Sequence, residues 1–431
     1  MSIIIYGMGL SGEALKNRLK NQNLIFYDDN PQKSQVTYEQ ALLSLGKTSL
    51  VIFSPGVPKD APLLLRCKEL NIKAICEFEF GVRKIKARQI AVTGTNGKTT
   101  VCQLIHHILM RCGKKSYLLG NVGNPVSALT ASNEDEFAVI EASSFQLEDF
   151  NGYNPFVAAI TNIAPDHIDR HKSFENYILA KCNIFLNQSG EGHALFNYDD
   201  LCVKELSCLC KSDRVFYSMK EKNIRGCFLQ ENFAVCTLFE STYYIKLQNI
   251  KYYVKHNISN ILCAVTASLL AGAQAEQIER ALLDFSFDKH RLQYVDAVKG
   301  VKFYNDSKGT NIHATLSAIG NFDSYCLILG GLSKGCSYDE LFENMCGCKF
   351  ACVIGSNSDE VFCAAKRKGF FNIAFCETLE KAAQLCFEKA LELNASCVLL
   401  SPASASFDMF KDYKERGDIY IKSVYEIKAK F

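Results

Sequence analysis

Between the apolar run Ile90-Ala91-Val92 and a helix-like stretch over 101–110 stands Thr93-Gly94-Thr95-Asn96-Gly97-Lys98-Thr99-Thr100. These residue types at this spacing suit the holding of a nucleoside triphosphate. Two glycines let backbone N–H groups turn onto phosphate oxygens, and the helix N-terminus adds partial positive charge. Lys98 can then reach the terminal phosphates, and the Thr99 hydroxyl can ligate Mg²⁺. The match to the general phosphate loop is imperfect, because its first glycine would fall at Val92 and Gly94 comes two residues later. An ordinary glycine-rich turn is the competing reading. The Gly-Lys-Thr run between strand and helix argues against it.

Three other groups of residues carry chemistry. The first strand runs into Gly7-Met8-Gly9-Leu10-Ser11-Gly12, a complete G-x-G-x-x-G, and a second strand ends at Tyr27-Asp28-Asp29. That layout brings a diphosphate against the backbone and an acid toward a ribose. NAD satisfies it, a nucleotide-sugar diphosphate satisfies it equally, and a plain strand–helix turn remains open. Glu141 ends an apolar strand and opens Glu141-Ala142-Ser143-Ser144-Phe145-Gln146-Leu147-Glu148. A carboxylate there faces the ligand crevice and suits Mg²⁺, with a helix-capping carboxylate as the alternative. Finally, Asp166-His167-Ile168-Asp169-Arg170-His171 crowds two histidines, two aspartates and an arginine into six positions, and His167 suits a metal ligand.

These groups need a scaffold that aims strand ends at one crevice. Short apolar runs alternate with helix-like segments through most of the 431 residues, which predicts an α/β fold with parallel sheets. Strands are expected over 2–6, 23–27, 50–53, 89–92, 138–140, 157–161, 325–329, 351–354 and 397–400. The stretch 214–254 alternates apolar with polar residues and is rich in Phe and Tyr, as antiparallel strands are. Domain boundaries are expected near 86 and near 286. Lys+Arg 48 against Asp+Glu 46 leaves no electrostatic footprint for nucleic acid or an anionic membrane. There is no run of about 18 apolar residues and no basic, cleavable leader, so the chain reads as cytoplasmic without membrane insertion. Its 20 cysteines lack zinc-type spacing and read as reduced, mostly core-filling thiols.

Taken together, Gly94-Thr95-Asn96-Gly97-Lys98-Thr99-Thr100, Glu141 and Asn162…Asp166-His167…Asp169 resemble the Mur ligases, whose core is shared by folylpolyglutamate synthases. Asn305-Asp306-Ser307-Lys308-Gly309-Thr310-Asn311 and Ser401-Pro402-Ala403-Ser404-Ala405-Ser406-Phe407-Asp408 extend the likeness over nearly the whole chain, toward the members that add D-glutamate. The resemblance implies three domains: a Rossmann-like one over 1–86 for the UDP substrate, a central P-loop ATPase-like one over 87–285, and a Rossmann-like one over 286–431 for the amino acid. It implies a monomer that uses ATP, Mg²⁺, UDP-N-acetylmuramoyl-L-alanine and D-glutamate to build a peptidoglycan precursor.

Residue roles are implied in the same way. Lys98, Glu141, His167 and Lys181 would be catalytic, with Thr99, Glu141, His167 and a carbamylated Lys181 toward the metal. An ordinary lysine at 181, on a phosphate oxygen or a surface acid, remains the alternative. Asn257, Asn260, Arg291, Asp306 and Lys308 would serve the nucleotide beside the phosphate loop. Leu10, Ser11, Asp28, Ser54, Gly56, Asn121, Ser143 and Gln146 would meet the UDP substrate. Lys334, Ser406 and Tyr413 would meet D-glutamate. The chain departs from the family at three places: Gly309 stands where alanine is usual, Tyr413 where phenylalanine is common, and Asp29-Asn30 where a basic residue is expected. A different amide ligase of the family, such as a folylpolyglutamate synthase, is the runner-up. An NAD-dependent oxidoreductase would leave the phosphate loop and Asp166-His167 unexplained.

Overall fold

The computed structural model describes every residue except 1, 149, 249, 251–254, 286–288 and 334–336; the side chains of Asp169, Lys255, His256 and His313 also lie outside it. The expected boundary near 286 and Lys334 therefore fall outside the described residues. The chain contacts cluster into two units, Met1–Tyr253 with Ile258–Phe285, and Val254–Asn257 with Ser286–Phe431.

The first unit holds two sheets. β1 (Ser2–Tyr6), β2 (Leu24–Tyr27), β3 (Thr48–Phe53) and β4 (Ala74–Cys76) form a parallel sheet in the order β2-β1-β3-β4. The strand β1, with neighbours on both sides, ends in the glycine loop, so the loop opens where the strand order reverses. The second sheet has nine strands in the order β13-β12-β11-β10-β9-β8-β5-β7-β6. They are β5 (Arg88–Thr93), β6 (Ser116–Gly120), β7 (Phe137–Glu141), β8 (Val157–Ile160), β9 (His193–Asn197), β10 (Asp213–Ser218), β11 (Gly226–Gln230), β12 (Phe233–Leu238) and β13 (Ser241–Lys246). Ile90, Ala91 and Val92 of β5 are fully buried between β7 and β8, as an apolar run without alternation requires of a central parallel strand.

Two expectations change here. The strands β11, β12 and β13 pair antiparallel as expected, but β10 runs parallel to both β9 and β11. Alternation reports that one face is buried and carries no information on strand direction. Nor are all thiols free: Cys227 and Cys236 sit directly opposite on β11 and β12 and form a disulfide.

The second unit is built on β14 (Gln293–Val298), β15 (Val301–Asn305), β16 (Tyr325–Gly330), β17 (Cys348–Ile354), β18 (Ile373–Phe375) and β19 (Cys397–Leu400), in the order β14-β15-β19-β16-β17-β18. Among the described strands of this sheet only β14 is antiparallel to its neighbour. Each face has its own core, one around Phe303, Phe387 and Tyr420 and the other around Leu327, Val353 and Leu399. Among the described residues no helix is long and apolar enough to cross a membrane.

Candidate active site

The phosphate loop turns from β5 into the helix Lys98–Arg111, which is capped by Gly97 at φ +83°. A Cβ at Gly97 would collide with the Asn260 side-chain oxygen, and one at Gly94 (φ +141°) with the Thr161 hydroxyl. Only glycine fits either position. Asn162 grips the loop from the next strand end: its Oδ1 accepts from Asn96 N at 2.8 Å, and its Nδ2 donates to Asn96 O at 3.0 Å. Lys98 Nζ folds back over the loop and donates to the carbonyls of Gly94 and Thr95, both at 2.8 Å. Thr99 is buried, and Thr95 Oγ1 lies 3.0 Å from the Tyr177 hydroxyl. Among the described residues the loop residues named from the sequence thus form one cradle, with Asn260 beside it.

Glu141 is the last residue of β7, in register with Val92 on one side and Gly120 on the other. It is 2 % exposed. Its Oε1 accepts from Asn121 Nδ2 at 2.9 Å, while its Oε2 is buried without a hydrogen-bond partner. The capping role belongs elsewhere: Ser143 and Gln146 form a reciprocal capping box on the helix Ser144–Leu147. Glu141 is therefore not a helix cap. Its unpaired oxygen is a costly feature unless a cation or donor meets it.

His167 has a left-handed backbone (φ +53°), and its ring stands edge-on to Phe145 at 4.9 Å. His171 instead is core: it stacks on Phe145, bonds Ser144 Oγ at 2.9 Å, and burial lowers its pKa. Lys181 lies in the helix Phe174–Cys182, 1 % exposed, with Nζ 2.8 Å from Gly94 O and 4.6 Å from the Tyr177 ring centroid. Burial, and then the Lys98 ammonium, push its pKa well below the ordinary lysine value. Among the described residues no three His, Cys, Asp or Glu side chains gather into a metal-binding group. Lys98 and Lys181 both donate to the Gly94 carbonyl and Glu141 ends the strand beside that of the phosphate loop, whereas His167 packs on Phe145.

A cavity of about 580 Å³ opens beside this site. One wall carries Leu10, Ser11, Asp28, Ser54 and Gly56, and the other Asn121 and Gln146. Ser143 is absent from the lining. Asp28 holds the glycine loop from behind, its Oδ2 accepting from Met8 N at 2.6 Å. Where a basic residue was expected, Asp29 accepts from the hydroxyls of Tyr6 (2.7 Å) and Tyr27 (2.9 Å). Those two tyrosines explain why an acid is at home there.

In the second unit, the 305–311 and 401–408 blocks leave the ends of β15 and β19, adjacent parallel strands. Asp306 is buried and accepts from Ser401 Oγ (2.8 Å) and Leu292 N (3.1 Å); burial raises its pKa to about 6. Lys308 Nζ lies 5.4 Å from the ring of Tyr413, and Ser406 is buried nearby in sequence to the helix Tyr413–Lys430. Arg291 has a buried Nε without a hydrogen-bond partner. The residue missed in the sequence is Arg416, fully buried, whose guanidinium donates to Ser307 Oγ (3.0 Å), Ser307 O (2.8 Å) and Ser404 O (3.1 Å). It ties the two blocks together from the last helix. The one signal for it was an arginine in the first turn after Tyr413.

Gly309 also gains a physical reason. A Cβ there would collide with Asp306 Oδ2 and come within 2.9 Å of Ser401 Oγ. Gly309→Ala is expected to lower stability by about 1–3 kcal/mol through overpacking, read from the denaturation midpoint. An unchanged midpoint would mean that the Asp306–Ser401 pair yields freely.

A family model described as the Mur ligase middle domain matches residues 92–268. The UDP-N-acetylmuramoylalanine--D-glutamate ligase of Alkaliphilus metalliredigens (strain QYMF) is 33 % identical over 99 % of this chain and 98 % of its own. That of Thermoanaerobacter sp. (strain X514) is 36 % identical over the same shares. Among solved structures, the MurF ligase of Thermotoga maritima in complex with ADP aligns with a TM-score of 0.61 at 16 % identity, over 98 % of this chain and 95 % of that one. That likeness bears on the fold alone. The full-length relatives, the phosphate cradle and the carboxylate beside it agree: the chain belongs to the Mur ligase family.

Proposed function

We propose a division of labour for this chain, an ATP-dependent ligase that adds D-glutamate to UDP-N-acetylmuramoyl-L-alanine in peptidoglycan precursor synthesis. Residues 1–86 bind the uridine diphosphate, 87–285 bind ATP, and 286–431 bring the amino acid. The reading rests on Asn121, which lines the 580 Å³ cavity and also donates to Glu141 beside the phosphate loop. One hydrogen bond thus separates the substrate cavity from the carboxylate at the phosphates.

The substrate carboxylate is a poor electrophile until it is phosphorylated. One of its oxygens attacks the terminal phosphorus of ATP, the bond to ADP breaks, and an acyl phosphate forms. The free amine of D-glutamate then attacks the acyl carbon, the C–O bond to phosphate breaks, the nitrogen's extra proton passes to the departing phosphate, and an amide results. Lys98 exchanges its contacts with the Gly94 and Thr95 carbonyls for phosphate oxygens. Mg²⁺, when bound, offsets charge on the phosphates and on the transferring phosphoryl group. The Thr99 hydroxyl, the unpaired Glu141 Oε2, His167 and a carbamate on Lys181 are the groups that would hold it. Asn257, Asn260, Arg291, Asp306 and Lys308 are assigned to the nucleotide. Ser406, Tyr413 and Lys334, the last outside the described residues, are assigned to D-glutamate.

The acyl phosphate leaves an isotopic trace. With the alanyl carboxylate of the substrate labelled in ¹⁸O, one label is expected in each released phosphate. Unlabelled phosphate would exclude activation of the carboxylate.

A further inference from the structure

One buried carboxylate that this reaction leaves unused is Glu77, 1 % exposed at the start of the helix Glu77–Val82. Its Oε1 accepts from Ser127 N at 2.7 Å, and its Oε2 accepts from Ser11 Oγ at 3.4 Å. The carbonyl of the same residue is held by Arg18, whose Nη1 donates to Ser127 O at 3.2 Å and also to Leu129 O. Glu77 and Arg18 are close enough to act on each other electrostatically. The helix presses tightly on this segment: a Cβ at Gly81 would come within 2.9 Å of Ser127 N. Just upstream, Asn121, Gly123 and Pro125 line one wall of the 580 Å³ cavity, and Ser11 lies on the other.

We propose that Glu77 and Arg18 are positioning residues for the nucleotide-sugar substrate: by holding the backbone N–H and C=O of Ser127, they fix one cavity wall against the glycine loop. The inference rests on the reading of that cavity as the UDP site. Neither side chain lines the cavity, so both act through the walls. A charge-assisted contact of this kind, once lost, lets the 121–127 segment drift and blunts binding there. ATP is held by the loop between β5 and its helix, which the clamp does not touch.

The test compares wild type, Glu77→Gln, Arg18→Gln and the double variant. Calorimetry measures the affinity for UDP-N-acetylmuramoyl-L-alanine, and kinetics measure KM for ATP and D-glutamate. Each single variant is expected to bind the UDP substrate about tenfold more weakly. The double variant should be little worse than either single one, because the two residues act as a unit. The KM values for ATP and D-glutamate should stay near wild type. Unchanged affinity in both single variants overturns the clamp, and so do equal losses for all three substrates. Wild type that fails to bind the UDP substrate overturns the cavity assignment itself, a separate result. If Glu77→Gln lacks a cooperative thermal transition, Arg18→Gln alone decides the matter.

Discussion

Lys181→Ala is expected to be nearly inactive, losing on the order of 100-fold or more in turnover, the scale of removing a preorganised electrostatic group. A short carboxylate such as acetate should restore part of the loss. The reason lies in where the amine sits. It is buried, 2.8 Å from Gly94 O, in the cradle that also holds the Lys98 ammonium. A second ammonium there repels both Lys98 and any metal. Burial favours the neutral amine, and the neutral amine is the form that combines with CO₂, giving a carbamate and releasing a proton. The product offers an anionic oxygen pair where the ammonium offered positive charge. Carbon-13 bicarbonate should give a protein-bound carbamate signal that Lys181→Ala lacks. No acetate rescue and no such signal in wild type would leave Lys181 as an ordinary lysine on a loop carbonyl.

Glu141→Gln is the second large effect. The side chain keeps its size and can keep its bond to Asn121, so cooperative unfolding should be preserved. What disappears is the charge on a carboxylate whose Oε2 is buried without a hydrogen-bond partner. Turnover should fall by on the order of 100-fold or more, and the residual rate should need much more Mg²⁺. Because Ser143 and Gln146 cap the following helix, loss of a cap offers no rival explanation. Near-normal activity at ordinary Mg²⁺ would reduce Glu141 to a structural partner of Asn121.

The features legible in the sequence are those whose chemistry is local. A strand, two glycines, a lysine and a threonine are contiguous, so the phosphate loop could be read from one octapeptide. Glu141 was legible because the end of a parallel strand faces the crevice. The glycine loop was legible as one wall of the cavity, and Asn121 and Gln146 line it too. The unread residues depend on partners far away in the chain. Arg416 meets Ser307 across 109 positions, and Glu77 meets Ser127 across 50. A buried charge with its partner that distant looks, in sequence, like any surface residue. Strand direction at β10 and the pairing of Cys227 with Cys236, nine residues apart, were hidden for a different reason, since both depend on how neighbouring strands pair. Ser143 and Gln146 show the converse, with a local cap present at positions assigned to substrate.

Choice of the incoming amino acid tests the central claim most directly. With ATP, Mg²⁺ and UDP-N-acetylmuramoyl-L-alanine present, phosphate release is measured with D-glutamate, L-glutamate or meso-diaminopimelate, with NADH consumption as a control. Rapid release is predicted with D-glutamate alone, one phosphate per amide formed, and no NADH turnover. Release driven equally by meso-diaminopimelate or L-glutamate, or independent of the UDP substrate, would contradict the account.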